Sequence, residues 1–224
     1  MSVQRTLATV QTLATMACSL LIAYPGSAQA QYAFVTLDVP DSISTAANGN
    51  STHEIAGEFV DSDGTHGFVL DQDFMTFDVP GADATTISGI NASGAIAGIY
   101  VGGGIHGYTL GKGQFTSLDP PGSVRSQAFS LNASGKVVGV YRDANQTRHG
   151  FLWDQGVFSN IDVPSAAAPL GTSAIGINDA GNVVGTYVDA NGDRHGFMLS
   201  QGQYTTLDVP GALFTVAQGI NNPG

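Results

Sequence analysis

The stretch from Ala128 to Pro164, AFSLNASGKVVGVYRDANQTRHGFLWDQGVFSNIDVP, holds four short runs of strand character, each closed by turn chemistry. The runs are Ala128 to Leu131, Lys136 to Tyr141, His149 to Trp153 and Val157 to Asp162. Asn132-Ala133-Ser134-Gly135 supplies a turn-starting Asn and a glycine able to take positive φ, as a short hairpin demands. Asp143-Ala144-Asn145 and Asp154-Gln155-Gly156 close the next two runs. Asp162-Val163-Pro164 ends the fourth, because proline cannot donate to a ladder. Four strands joined this way make an antiparallel meander.

The same unit recurs on both sides of this stretch. His149-Gly150-Phe151-Leu152 returns as His66-Gly67-Phe68-Val69, His106-Gly107-Tyr108-Thr109 and His195-Gly196-Phe197-Met198, at spacings of 40, 43 and 46 residues. A second marker, Leu37-Asp38-Val39-Pro40, reappears at Phe77 to Pro80, Leu118 to Pro121, Ile161 to Pro164 and Leu207 to Pro210. A third couples Gly89-Ile90-Asn91 to Gly98-Ile99-Tyr100, Ser130-Leu131-Asn132 to Gly139-Val140-Tyr141, and Gly176-Ile177-Asn178 to Gly185-Thr186-Tyr187. The first copy is degenerate, reading Ala46-Ala47-Asn48 and then two extra residues before Gly57-Glu58-Phe59. Markers that keep step at about forty-three residues predict an all-β, β-propeller-like array of four-stranded antiparallel blades, with about four full repeats and partial terminal ones. The alternative is a β-solenoid, whose rungs would join into parallel sheets. Small residues on both faces of a strand, as in Ala95-Ile96-Ala97-Gly98, suit a blade packed between two neighbours.

The Gly-Ile-Asn, Val-Val-Gly-x-Tyr and His-Gly-Phe-Leu-Trp series resembles the bacterial extracellular HAF-type repeats, named for a His-Ala-Phe triplet. The similarity covers nearly all of residues 32 to 222. Gly67, Gly107, Gly150 and Gly196 stand where the name has alanine, which makes this a His-Gly-Phe variant. The resemblance implies export and repeat architecture, and it carries over no catalytic residue.

The first thirty residues differ in kind from the repeats. Arg5 is the only charge before Asp38, Leu13 to Ala23 form an apolar run of secretory length, and Ala28-Gln29-Ala30 is an A-x-A cleavage site. Residues 1–30 therefore read as a signal peptide, with the repeat domain over 31–224 and a location outside the cytoplasm, secreted, extracellular or periplasmic. The apolar run is shorter than the roughly 20 residues a membrane span needs, so no stable membrane insertion is expected after cleavage. The sole cysteine, Cys18, leaves with the leader. Thr15 stands where a lipoprotein signal needs a Leu-like residue, and the mature chain would have no disulfide to stabilise it. The whole chain carries a formal charge of −11, and loss of Arg5 takes it to −12, which makes nucleic acid a poor partner.

Three groups of residues are candidates for chemistry. His66, His106, His149 and His195 begin the third strand of each unit, far from their symmetry mates if the fold is a propeller. They read with Asn91, Asn132 and Asn178 as repeat-signature structural positions. Asp61 and Asp63, and Asp189, Asn191 and Asp193, alternate oxygens like the start of a calcium loop but lack its closing bidentate Glu. Hairpin turns choose Asp, Asn and Gly for backbone reasons alone, so no cofactor is expected, with calcium at these turns as the alternative. His53, Glu54 and Glu58 fall in the degenerate unit, and Glu54 and Glu58 are the only glutamates in the chain. A departure from internal symmetry is where a binding site is grafted, or where a terminal repeat is merely capped.

No nucleophile elbow, phosphate loop or dinucleotide fingerprint is present. The leading functional reading is a secreted or surface-exposed binding module for a glycan or surface protein. The alternatives are a propeller-type lyase or hydrolase, and a structural adhesion repeat. The sequence also predicts five fourth-position strands, from Phe34 to Asp38 onward, and five first-position strands, ending at Thr215 to Asn221, against four of each of the others. This imbalance predicts a chain truncated at its C-terminus and an open ring with a tendency to associate.

Overall fold

A computed structural model of the chain describes residues 35–222, and the predicted leader and its cleavage site lie outside the described residues. Sixteen strands and no helix appear among them, and so no helix is long and apolar enough to cross a membrane. The first blade runs β1 Ser44–Asn50, β2 Ile55–Val60, β3 Thr65–Leu70 and β4 Phe74–Phe77. The second is β5 Ala84–Ile90, β6 Ile96–Val101, β7 Ile105–Gly111 and β8 Gln114–Leu118. The third is β9 Ser123–Leu131, β10 Val137–Asp143, β11 Arg148–Asp154 and β12 Val157–Ile161. The fourth is β13 Thr172–Ile177, β14 Val183–Val188, β15 Arg194–Ser200 and β16 Gln203–Leu207.

Within each blade the strands pair in sequence order and antiparallel. The sole parallel link among the described residues is one bridge, Thr65 to Ala84, which joins the first two blades into a single ladder. Solenoid-like parallel sheets between repeats are therefore absent from the described region. Among the described residues the sheets do not close into a ring.

The repeated glycines follow from how the blades are filled. Gly98, Gly139 and Gly185 face Tyr108, Phe151 and Phe197 across the ladder, and each of these rings is fully buried. A Cβ on Gly139 would stand 2.7 Å from the Phe151 ring, so the aromatic can lie across the strand only where no side chain intervenes. The glycine after each histidine is crowded from two sides, by the carbonyl of its own fourth strand at Gly67, Gly150 and Gly196 and by the next blade. A Cβ at Gly107 would meet the Ala128 nitrogen at 3.0 Å, and one at Gly150 the Ala174 nitrogen at 3.3 Å. A glycine at this position thus lets the following inner strand approach closely.

The core is divided among the blade interfaces. One cluster joins the first and second blades through Ala56, Ile87, Ile90 and Tyr108, a second joins Ala97 and Leu118 to Ala128 and Phe151, and a third joins Val138 and Ile161 to Ala174 and Phe197. Each blade therefore depends on its neighbours for burial, as in other stacked repeats.

Two features differ from the sequence expectation. The first unit is not lengthened by two residues. Register pairs Gly49 with Ala56 as it pairs Gly89 with Ala97, so Ser51 rather than Asn48 is the counterpart of Asn91, and the turn that follows is one residue shorter. The bulge falls at the same place in both strands and makes Asn48 the counterpart of Ser88, so the likeness of Ala46-Ala47-Asn48 to the Gly-Ile-Asn marker is out of register. The second concerns the terminal segments. Residues 36–38 and 215–221 carry no strand, because neither has a ladder partner among the described residues. The later segment still lies along β13, with Thr215 N donating to Arg194 O at 3.2 Å and Asn178 Nδ2 donating to Asn221 O at 3.1 Å.

Candidate functional site

The repeated polar residues act as fasteners. His66, His106, His149 and His195 each place Nδ1 within 2.9 to 3.0 Å of the Asp in the Asp-x-Pro segment of the same unit: Asp78, Asp119, Asp162 and Asp208. Each ring also stacks on an aromatic of the second strand, Phe59, Tyr100, Tyr141 or Tyr187, with centroids 5.0 to 5.2 Å apart. The hydrogen bond to its aspartate holds His66 and His195 above the ordinary histidine value, against the opposing pull of burial. Burial pushes Asp119 up, but donation from Ser117, Ser126 and His106 outweighs it and holds this carboxyl low.

The asparagines form a ladder from blade to blade. Asn91 Nδ2 donates to Asn132 O at 2.9 Å, Asn132 Nδ2 to Asn178 O at 3.2 Å, and Asn178 Nδ2 to Asn221 O. Their Oδ1 atoms accept from Ala95, Lys136 and Asn182 amides and so shape the first hairpin turn of each blade. In the first blade Ser51 Oγ accepts from the His53 and Glu54 amides in the same role.

The calcium-like turns use their oxygens internally. Asp61 Oδ1 accepts from Asp63 N and Gly64 N, and Asp189 Oδ1 from Asn191 N and Asp193 N, at 2.8 to 3.2 Å. Amide donation, from Asp63 and from Asp193 foremost, holds Asp61 and Asp189 below the usual carboxylate range. No group of three His, Cys, Asp or Glu converges on one point among the described residues.

His53, Glu54 and Glu58 are not brought together. His53 and Glu54 belong to the Ser51 turn, where Glu54 Oε2 accepts from Ser51 Oγ at 3.2 Å. Glu58 sits in β2, opposite Gly67, roughly 13 Å further along the strand, and its side chain lines the central channel.

That channel is formed by the inner strands. β1, β5, β9 and β13 share a bulge at Asn48, Ser88, Phe129 and Ile175, which turns that residue inward, and β9 carries a second at Val124. With Gln218 of the last segment they help to enclose about 800 Å³. Between the third and fourth blades the channel opens into a mouth of about 250 Å³ that shares Phe129, Ile175 and Val216 with it.

Four arginines rim this mouth: Arg125 on β9, Arg142 on β10, Arg148 on β11 and Arg194 on β15. Arg142 is the direct cross-strand partner of Arg125 on one side and of Arg148 on the other. Among the described residues the ion pair between a Lys or Arg and a carboxylate is Lys136 with Asp154, so no carboxylate neutralises the rim. Burial, and then Arg142, Arg194 and Arg125, hold the Arg148 guanidinium below its ordinary value. These residues were missed in the sequence because the marker search follows what recurs in every unit, whereas Arg125 and Arg142 occur in the third unit alone and the Arg before the histidine in the third and fourth only. The signal was there: aligned units place Val60, Val101 and Val188 where the third unit has Arg142.

No protein-family model and no curated protein matches the chain. Among solved structures, TolB from Acinetobacter baumannii superposes with a TM-score of 0.54 at 14% identity, covering 70% of this chain and 41% of that one. A fucose-specific lectin from Aleuria aurantia gives 0.46 at 17% identity, covering 74% and 61%. The chain thus spans less than two thirds of either structure. The likeness to TolB places it among the all-β, propeller-like folds.

Proposed function

We propose that this chain is an exported or surface-exposed binding module of the HAF-repeat type, a β-propeller-like array that takes its ligand into the central channel. One observation carries the reading: the channel keeps the repeated Gly and Ile or Leu of the inner strands in its wall, and two further sets of wall positions vary from unit to unit. The histidine, its aspartate and the glycines recur in all four blades. At the bulge the five units carry Asn48, Ser88, Phe129, Ile175 and Gln218. The channel-facing position of the second strand carries Glu58, Ile99, Val140 and Thr186. A wall that need only be filled would repeat with the fold; one that varies around the axis is shaped for a particular occupant. Short polar side chains mixed with a few apolar ones suit a hydroxylated solute such as a saccharide.

The test is a screen of a glycan array and a small-solute library against the wild type, Ser88→Trp, which fills the channel, and Thr76→Trp on the exposed outer strand. Ligands lost in the first variant and retained in the second support the reading. Ligands that bind Ser88→Trp as well as wild type overturn it.

A further inference from the structure

We propose that the mouth between the third and fourth blades is an oxyanion site, and that it receives the carboxylate, sulfate or phosphate group of a small solute whose body enters the channel. The inference rests on the reading of the channel as the ligand site and adds to it the chemistry of the ligand's head.

The arginines are placed against the preference of the fold. Like charges directly opposite on neighbouring strands destabilise a sheet, yet Arg125, Arg142 and Arg148 stand side by side across three strands. The corresponding positions are Ser44, Val60 and Thr65 in the first blade and Ala84, Val101 and Ile105 in the second, and in the fourth Val188 stands for Arg142 while Arg194 repeats Arg148, so two of the four blades fold with no cation at any of these positions. Four of the seven Lys and Arg of a chain with net charge −11 are gathered at this one mouth.

Their donors are also unused. A guanidinium offers five N–H groups in a planar fork matched to an oxyanion, and the recorded protein acceptor for the four is the Gln146 carbonyl, which takes one from Arg142. The nearby carboxylates are engaged elsewhere. Asp143 accepts from Asn145 N and Thr147 N and faces His149, and Asp189 caps its own turn beside His195. A dense set of charged donors with a single protein acceptor, on side chains half-buried at Arg125, Arg142 and Arg148 and exposed at Arg194, is the pattern of a site prepared for an anion.

The rim is built on a fixed backbone. Arg148 N donates to Pro169 O at 3.0 Å, and Gly171, in a left-handed conformation, lies against the Arg148 carbonyl where a side chain would collide. The loop carrying these residues also bonds to Val188 through Ala167 N and Gly171 O, and so ties the third blade to the fourth beside the mouth. Phe129, Ile175 and Val216 give the mouth an apolar floor continuous with the channel. The size, about 250 Å³, admits a head group and part of one sugar ring. A long polyanion is disfavoured, because the rest of the molecule carries an excess of carboxylates that repel it.

The experiment is titration calorimetry on the chain at constant ionic strength, with D-glucuronate, acetate, sulfate, phosphate and D-glucose as probes. Saturable binding of glucuronate, at least tenfold tighter than acetate and competed by sulfate, is the expected result. Sulfate or phosphate binding more tightly than glucuronate would keep the oxyanion site and assign it to a free inorganic ion. Arg148→Met and Arg142→Gln should each weaken glucuronate at least tenfold, while Lys112→Gln and Lys136→Gln leave it unchanged. Without ligand, Arg148→Met should melt above the wild type, since it relieves repulsion, and this gain marks a binding role over a structural one. Absence of saturable binding by every anion, or equal losses in the lysine variants, overturns the proposal. Glucuronate binding that survives Ser88→Trp but not Arg148→Met supports the mouth and sinks the channel reading. A neutral ligand excluded by Ser88→Trp and indifferent to Arg148→Met, with no anion bound, does the reverse.

Discussion

Removing the side chain of Asn132 should loosen the third blade and its junction with the fourth together. Asn132 is 4% exposed, and its amide works in both directions. Its Oδ1 accepts from Lys136 N at 3.0 Å and Ser134 Oγ at 2.8 Å, and its Nδ2 donates to Asn178 O at 3.2 Å. Asn132→Ala leaves the Lys136 amide without a partner and takes one of two donors from Asn178 O, which keeps the Gly181 amide. At about 1 to 1.5 kcal/mol for each of the two lost bonds, the cost is about 2 to 3 kcal/mol. Asn132→Ser copies Ser51 of the first blade, which keeps an oxygen for the turn amides and gives up the inter-blade donor. It should cost about 1 kcal/mol. The assay is urea denaturation followed both by circular dichroism and by fluorescence of Trp153, the only tryptophan, which sits on β11 of the affected blade. Asn145→Ala, on an exposed turn, is the control. A cost for Asn132→Ala no greater than that of Asn145→Ala would refute the ladder as a source of stability.

Gly139→Ala should destabilise by about 2 to 3 kcal/mol in the same assay, because its methyl meets the Gln127 carbonyl and the Phe151 ring; Gly135→Ala, with φ of 84° but open space around it, should cost only about 1 kcal/mol. A reversed order would show that ring placement over Gly139 is not what the blade needs. His66 and His195 have raised values in the fold, so their stabilisation is complete below the histidine value of 6.5 and is lost as pH rises through the raised values. Asp61, Asp119 and Asp189 have lowered values, so theirs is present above 3.8 and lost as pH falls through the lowered ones. The melting temperature should therefore be greater at pH 6 than at pH 8, and the double variant His66→Gln, His195→Gln should flatten that difference; a melting temperature that climbs from pH 6 to pH 8 would contradict the assignment. Terminal sequencing of exported protein should begin at Gln31, and an intact Met1 in the secreted fraction would dismiss the leader.

The amino-acid sequence by itself determined the strands, their order and their turns, because these are local matters. Asn132 to Gly135 closes a hairpin and Pro164 ends a strand wherever they stand in space, and a motif repeated four times makes each local signal unambiguous. Local signals also have a resolution limit. They placed the start of the third unit's first strand at Ala128, whereas β9 begins at Ser123, since its early residues pair with β10 although Val124 and Arg125 lack an apolar pattern. They set Asn48 against Asn91, whereas the register of β1 on β2 gives that place to Ser51. The arginine mouth lay wholly beyond them. Arg125, Arg142, Arg148 and Arg194 span seventy residues of chain, and what gathers them is the register of three strands and the packing of one blade on the next. Register and blade packing are set by hydrogen bonds and buried surface between distant segments, so only the tertiary structure could decide where those four charges meet.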